Sequence, residues 1–243
     1  MKRQMFLVLL CVCFCSSISI KAQEKVSPYF TQEEMPDMLK FLPAPPDTLS
    51  EAFSHDVMRY FWGKQMRQDS VRAAIALRDA DWSAEYIFSE FSVPFGLNIT
   101  KENTPEIYKL LTQCLYTVDL VGRKAKAFYN RKRPFDRFKE PSLYPKDDEA
   151  LSKNGSYPSG HTIRGWSTVL LLAEINPERA DTLLARGYMY GESRVIVGAH
   201  WQSDVDAGRL AATAAYMKLH TSDAFLEQLR KAKAEFRKKT KVK

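Results

Sequence analysis

Thr162-Ile163-Arg164-Gly165-Trp166-Ser167-Thr168-Val169-Leu170-Leu171-Leu172-Ala173-Glu174-Ile175 is apolar almost all round when wound at helical pitch. A helix without a polar face belongs at the centre of a domain, with other helices covering it. Upstream, Thr104-Pro105-Glu106 marks a helix start, with threonine as cap and proline at the first helical position. From there to Tyr129, Ile107, Leu110, Leu111, Cys114, Leu115, Val118 and Val121 form one apolar stripe, and Pro134 sits where such a helix must end. Downstream, 178–195 carries Leu184, Tyr188, Gly191 and Val195 at helical spacing, and Gly187 and Gly191 permit close approach of a neighbour. Two more helical stretches, 203–219 and 222–236, follow, the second with Phe225, Leu229, Ala232 and Phe236 on its inner side. Strand-like alternation and internal repeats are missing from the pattern. The expected fold is a single all-α, bundle-like domain.

The ends of the chain read differently. Lys2 and Arg3, the apolar run from Met5 to Cys15 and the small, polar stretch from Ser16 to Ala22 predict an export signal over 1–22. The run is too short for a membrane anchor, which needs ~20 apolar residues. Cleavage is expected after Ala22. Lipid attachment is disfavoured because Leu10, Val12 and Phe14 precede Cys11, Cys13 and Cys15. Loss of 1–22 leaves Cys114 as the one cysteine, so no internal disulfide is expected, and its apolar helical setting predicts a buried, inert thiol. Residues 23–48 hold five of the twelve prolines and are expected to form an extended arm, ahead of one domain over 49–243. The formal charge of +7 falls to +4 when Lys2, Arg3 and Lys21 leave with the signal. Much of the remainder lies in Arg237–Lys243, expected to be a solvated, frayed terminus. No aromatic residue interleaves with that tail to stack bases, so nucleic acid is not an expected partner. No apolar run near 18 residues in the mature chain supports a membrane span.

Three short blocks carry chemistry. Lys126 and Arg133 are seven residues apart and would fall within ~20° on one helix face, able to clamp an anion. Surface charge is the plainer reading, and it is the one taken for Lys124, Arg131 and Lys132. Pro158-Ser159-Gly160-His161 precedes the apolar helix. A helix start leaves N–H donors free and adds partial positive charge, and Gly160 lets backbone approach an oxyanion without a Cβ. An ordinary cap beside a histidine is the alternative. In Ser193-Arg194…His200…Asp204, the last pair is four apart, so on a helix the carboxylate can hold the imidazole Nδ1–H and leave Nε2 free. Arg194 would lie ~240° from His200 in a continuous helix, so both can serve one site only if the helix breaks, and Gly198 is available to break it. A core histidine satisfied by an acid is the plainer reading of that pair alone. His55 and His220 are expected to be background, and no His/Cys/Asp cluster has metal-ligand spacing.

Taken in order, with six residues between Lys126 and Arg133 and five between Arg194 and His200, the blocks resemble the motif of the PAP2 / vanadium-haloperoxidase superfamily. The string Gly155-Ser156-Tyr157-Pro158-Ser159-Gly160-His161-Thr162 resembles its class A bacterial non-specific acid phosphatase branch, as do Ala173–Pro177 and His200–Asp206. Ile163-Arg164 departs from the small residues usual after His-Thr, so Arg164 is expected to alter substrate access. The resemblance implies an exported, periplasmic acid phosphatase of broad specificity, acting on aryl and alkyl phosphates and nucleotides without metal or cofactor. It implies His200 as nucleophile, Asp204 as its orienting group and His161 as general acid and base, with an optimum below neutrality. Lys126, Arg133, Arg194, Ser159 and Gly160 would hold the phosphoryl oxygens. Inhibition by vanadate or phosphate, a phosphotransferase side activity and a homo-oligomer are implied as well. A haloperoxidase or lipid-phosphate phosphatase of the same superfamily is one alternative. A phosphate-binding protein is another, although simple binding has no use for an oriented neutral imidazole.

Overall fold

A computed structural model describes residues 26–241. The expected export signal over 1–22 lies outside these residues. Among them are twelve α-helices and no strand: α1 (Met38–Phe41), α2 (Glu51–Met66), α3 (Ser70–Arg78), α4 (Ala84–Phe95), α5 (Pro105–Val118), α6 (Arg123–Tyr129), α7 (Pro134–Phe138), α8 (Asp148–Ser152), α9 (Gly160–Ile175), α10 (Ala180–Val197), α11 (Gln202–Leu219) and α12 (Asp223–Thr240). The fold is all-α, as the sequence led us to expect. No helix among the described residues is long and apolar enough to cross a membrane.

Local chemistry sets most of the boundaries. Ser50, Asp69, Ser83, Ser159 and Ser222 each stand one residue ahead of a helix and accept a backbone N–H of its first turn. Thr104 sits at the expected cap position of α5, with Pro105 first in the helix, but its hydroxyl turns back to Thr100 O and caps nothing. Gly96 and Gly198 end α4 and α10 at φ +91 and +83, a conformation that glycine adopts without a Cβ penalty. The stripe expected to run to Tyr129 is interrupted. Asp119 closes α5, and a turn through 119–122 redirects the chain into α6, although Val121 remains in the core.

α9 is the central helix, covered by α4, α5, α10, α11 and α12. Val169, Leu171 and Leu172 are no more than 1% exposed, each worth ~1.5–3 kcal/mol of transfer free energy. Close packing depends on glycine: a Cβ on Gly165 would stand 2.3 Å from the Tyr190 ring, and one on Gly187 would stand 2.7 Å from Val169. The buried face of α10 therefore runs through Leu183, Gly187, Tyr190 and Gly191, whereas Tyr188, expected inside, is exposed. Residues 26–48 wrap the domain. Met35, Met38 and Leu42 enter the core, Tyr29 N–H donates to Thr117 Oγ1 and Pro43 O accepts from Tyr157. That arm also carries the one-turn α1, which the proline density had hidden. The basic end is helical to Thr240, so its first four residues are not frayed. Cys114 is a buried free thiol, and burial pushes its pKa up.

This packing brings the start of α9, the end of α10 and the start of α11 to one end of the bundle. Ser159 N–H donates to Asp204 O at 2.9 Å, tying α9 to α11. A Cβ on Gly208 of α11 would stand 2.9 Å from Ser159 O. Arg67, just after α2, donates to Ile196 O and Val197 O, a cation at the negative end of α10.

Candidate active site

The three cations reach the site from three different supports. Lys126 lies on α6, and its Nζ donates to Gly155 O at 3.0 Å. Arg133 is not on that helix. Asn130 ends α6 at φ +36, and an extended 131–133 carries the chain to Arg133, the cap residue of α7. The shared helix face expected for Lys126 and Arg133 is therefore replaced by a helix and a strap, yet both donate to Gly155 O. Arg133 is 3% exposed and also donates to Leu151 O, Asn154 O and Ala199 O. Arg194 is 1% exposed in the last turn of α10, and its Nε and Nη1 have no acceptor among the described residues. A buried guanidinium with two unmatched donors costs several kcal/mol. Its chemistry asks for an anion.

Burial, with Arg133 and Arg194 nearby, brings Lys126 down to about 7. Arg133 falls to about 10, first through burial and then through Arg194.

Ser159 and Gly160 open α9 beside this cluster. The Ser159 hydroxyl accepts from Thr162 and keeps its own proton to donate. Gly160 and His161 occupy first-turn positions, whose N–H groups have no intrahelical acceptor. A Cβ on Gly160 would stand 3.2 Å from the Trp82 ring and 3.8 Å from Lys126 Cε. Glycine at this position thus spares Trp82, a demand additional to backbone approach, while the lysine would only be in ordinary contact.

Gly198 breaks α10 as the spacing required. The chain folds back so tightly that Ala199 N–H and His200 N–H both donate to Arg194 O. His200 stands just ahead of α11, 2% exposed, and Arg133 Nη1 lies 2.9 Å from its Nε2. A guanidinium only donates, so Nε2 carries the lone pair and Nδ1 the proton. Asp204 Oδ2 is 3.4 Å from Nδ1, near enough to attract the ring but short of a well-formed hydrogen bond. The carboxylate has firmer partners: Trp201 N–H at 2.8 Å and Arg131 Nη1 at 2.6 Å.

His161 is 6% exposed, its Nε2 is 3.0 Å from Ala80 O, and its ring meets Trp82 edge-on at 4.6 Å between centroids. A carbonyl only accepts, so Nε2 carries the proton and Nδ1 is the atom left to gain one. Burial and Arg194 hold His161 well below the usual imidazole range. Burial, Arg133, Lys126 and Arg194 do the same to His200. Both rings are therefore disfavoured as cations before an anion arrives. That suits a nucleophile at 200, and it means that a proton on His161 needs the bound anion.

Arg131 was taken for surface charge. It is instead 9% exposed and bridges Asp204 to Asp56 of α2, which is itself 1% exposed and accepts from Ser203. Lys124 and Lys132 are exposed as expected. Asp56, Trp82 and the Ala80 carbonyl were also missed. Asp56 lies 75 residues from Arg131, and no local pattern links them. Among the described residues, no group of His, Cys, Asp and Glu could hold a metal ion. His220 pairs with Glu174 at the far end of α11, away from this cluster.

Residues 108–222 match the family model described as the PAP2 superfamily. The chain is 46% identical over 211 residues to a non-specific acid phosphatase of Providencia stuartii, covering 86% of this chain and 85% of the relative. It is 40% identical to a non-specific acid phosphatase of Salmonella typhimurium, covering 90% and 88%. It is 38% identical to an acid phosphatase of Zymomonas mobilis, covering 88% and 81%.

Proposed function

The chain belongs to the PAP2 superfamily, in its non-specific acid phosphatase branch, and from that premise we propose that it cleaves phosphomonoesters through a phosphohistidine on His200. The observation that carries this reading is the pair of unmatched donors on buried Arg194, which with Lys126 and Arg133 is close enough to His200 to lower its pKa, while Arg133 Nη1 lies 2.9 Å from His200 Nε2. An ester phosphate would take Arg133 Nη1 away from Nε2 and expose the lone pair. Nε2 then attacks phosphorus in line while the P–O bond to the alcohol breaks. Lys126, Arg133, Arg194, the Ser159 hydroxyl and the Gly160 N–H hold the three equatorial oxygens, where charge spreads in such a transition state. Asp204 offsets the charge that the His200 ring acquires.

His161 protonates the leaving alkoxide. The incoming dianion offsets Arg194, which with burial disfavours the His161 cation, so His161 takes up a proton from solvent as the substrate binds. In the second step His161 takes a proton from water, which attacks phosphorus and releases His200. His161→Ala should therefore lower kcat/KM, which reports the first displacement, on alkyl phosphates by ~10²–10⁴-fold, with a smaller loss on aryl phosphates, whose leaving groups need no proton. Steady-state kinetics on both classes check this. Equal losses would mean that His161 binds and does not protonate.

Lys126 supplies an alkaline limb. With its pKa near 7 in the free site, it is cationic below neutrality and loses charge as pH rises through that value. Affinity for inorganic phosphate, measured by competitive inhibition, should therefore lose the Lys126 contribution as pH rises above ~7. Lys126→Arg, whose charge does not titrate there, should weaken less than the parent above that pH. A parent and variant that weaken in parallel would remove Lys126 from this role.

The same membership supports vanadate as a competitive inhibitor, catalysis that needs no metal or cofactor, export of the mature chain to the periplasm and a homo-oligomeric state. Activity that survives EDTA and is lost to vanadate would support the metal-free part of this reading. Loss to EDTA would overturn it.

A further inference from the structure

Trp82 is unusual for a residue in direct contact with a candidate catalytic group: its side chain is 43% exposed, yet it is fixed from several sides. Its ring meets the His161 imidazole at 4.6 Å between centroids and lies 3.2 Å from where a Cβ on Gly160 would stand. The Arg164 guanidinium lies 3.7 Å from the centroid of the indole. Arg164 is itself held by both oxygens of Asp119 at the end of α5, and it donates to Trp82 O at 2.6 Å. The loop carrying Trp82 also gives Ala80 O to His161. An exposed indole on a loop is normally free to change rotamer, and here Arg164 pins it. Trp82 and Arg164 also line an open groove of about 1220 Å³ between α4, α5 and α12, and the same Trp82 ring meets His161 of the candidate site.

The oxygen that His161 would protonate carries the organic part of the ester, so that part must leave past Trp82. We infer that Trp82, clamped by Arg164 and Asp119, is a platform on which a flat aromatic leaving group stacks, favouring nucleoside monophosphates over small alkyl phosphates. This inference rests on the proposed function. An indole offers a flat apolar surface, stacking tolerates any base because every base has a π-face, and the groove gives room beyond it. Arg164 acts through Trp82 as a positioning residue.

Binding to His200→Ala, in which the nucleophile is removed, reads the platform apart from the chemistry. On that background, Trp82→Ala should weaken adenosine 5′-monophosphate at least tenfold more than it weakens inorganic phosphate, measured calorimetrically, the size of effect that a lost aromatic stack gives. Trp82→Phe should recover most of the difference. Arg164→Ala should produce a smaller loss of the same selectivity, with Trp82 kept but unclamped. In enzymes that retain His200, the changes should appear as a rise in KM for the nucleotide relative to glycerol 2-phosphate, with less effect on the ratio of kcat values. Equal weakening of nucleotide and inorganic phosphate in Trp82→Ala, or no change in their ratio, overturns the platform. Turnover surviving in His200→Ala would instead overturn the proposed function and leave the binding comparison readable.

Discussion

His200→Ala is expected to fold as the parent does and to lose turnover by ~10⁴-fold or more on every phosphomonoester, the scale on which covalent nucleophiles fail when removed. The side chain is nearly buried, but it holds no element in place. Its Nε2 accepts from an arginine that has four carbonyl partners besides, and its Nδ1 lacks a well-formed one. Truncation therefore leaves a small cavity and no stranded charge, and the melting temperature should move by only a few degrees. Phosphate binding should survive, because Lys126, Arg194 and the start of α9 remain. Substantial residual activity in a folded variant would exclude the nucleophile role. Loss of folding would show that the ring is structural, a result that melting curves separate from loss of chemistry.

The second large effect falls on a residue that touches no substrate in this account. Arg131→Met should lower both stability and kcat, because it strands two buried carboxylates. Asp204 and Asp56 are no more than 1% exposed, and Arg131 is the cation that joins them. Removing one partner of a buried ion pair costs ~3–5 kcal/mol, and at ~2–4 °C per kcal/mol for a domain of this size the melting temperature should fall by about 10 °C or more. Freed from Arg131, Asp204 would swing toward His200, disturbing the ring. Thermal denaturation and kcat measured on one preparation test this. A variant with parental stability and activity would return Arg131 to the surface role first assigned to it. Arg131→Lys should recover part of the stability, since it restores charge without the fork that spans both acids.

The contrast between Arg131 and Arg133 marks where sequence reasoning works on this chain. Arg133 was found by spacing, and the spacing was right for a reason other than the one supposed: an extended strap after Asn130, not a common helix face, carries it to Gly155. The break at Gly198 was legible because geometry demanded one and a single glycine could supply it. The central helix was legible because a segment with no polar face has few places to go. Arg131 was not legible, since its partners come from α2 and the first turn of α11, and nothing local separates a buried bridging arginine from an exposed one. The resting charge of His161 was not legible for a related cause. A histidine's role is a matter of residue type, but its resting charge depends on burial and on Arg194, which only the assembled site brings near. Trp82 belongs to the same class. Its contacts with His161 and Arg164 join positions about eighty residues apart.

The most direct measurement is to catch the phosphoryl group. His161→Ala, given an aryl phosphate whose leaving group needs no acid, should complete the first displacement and stall before the second, because the base that activates water is gone. Rapid quenching into alkali, where phosphohistidine survives, followed by peptide mass spectrometry, should find the phosphoryl group on the ring of His200 in step with a burst of released phenol. A burst with no modified peptide, or with the phosphoryl group on any other residue, would contradict the account.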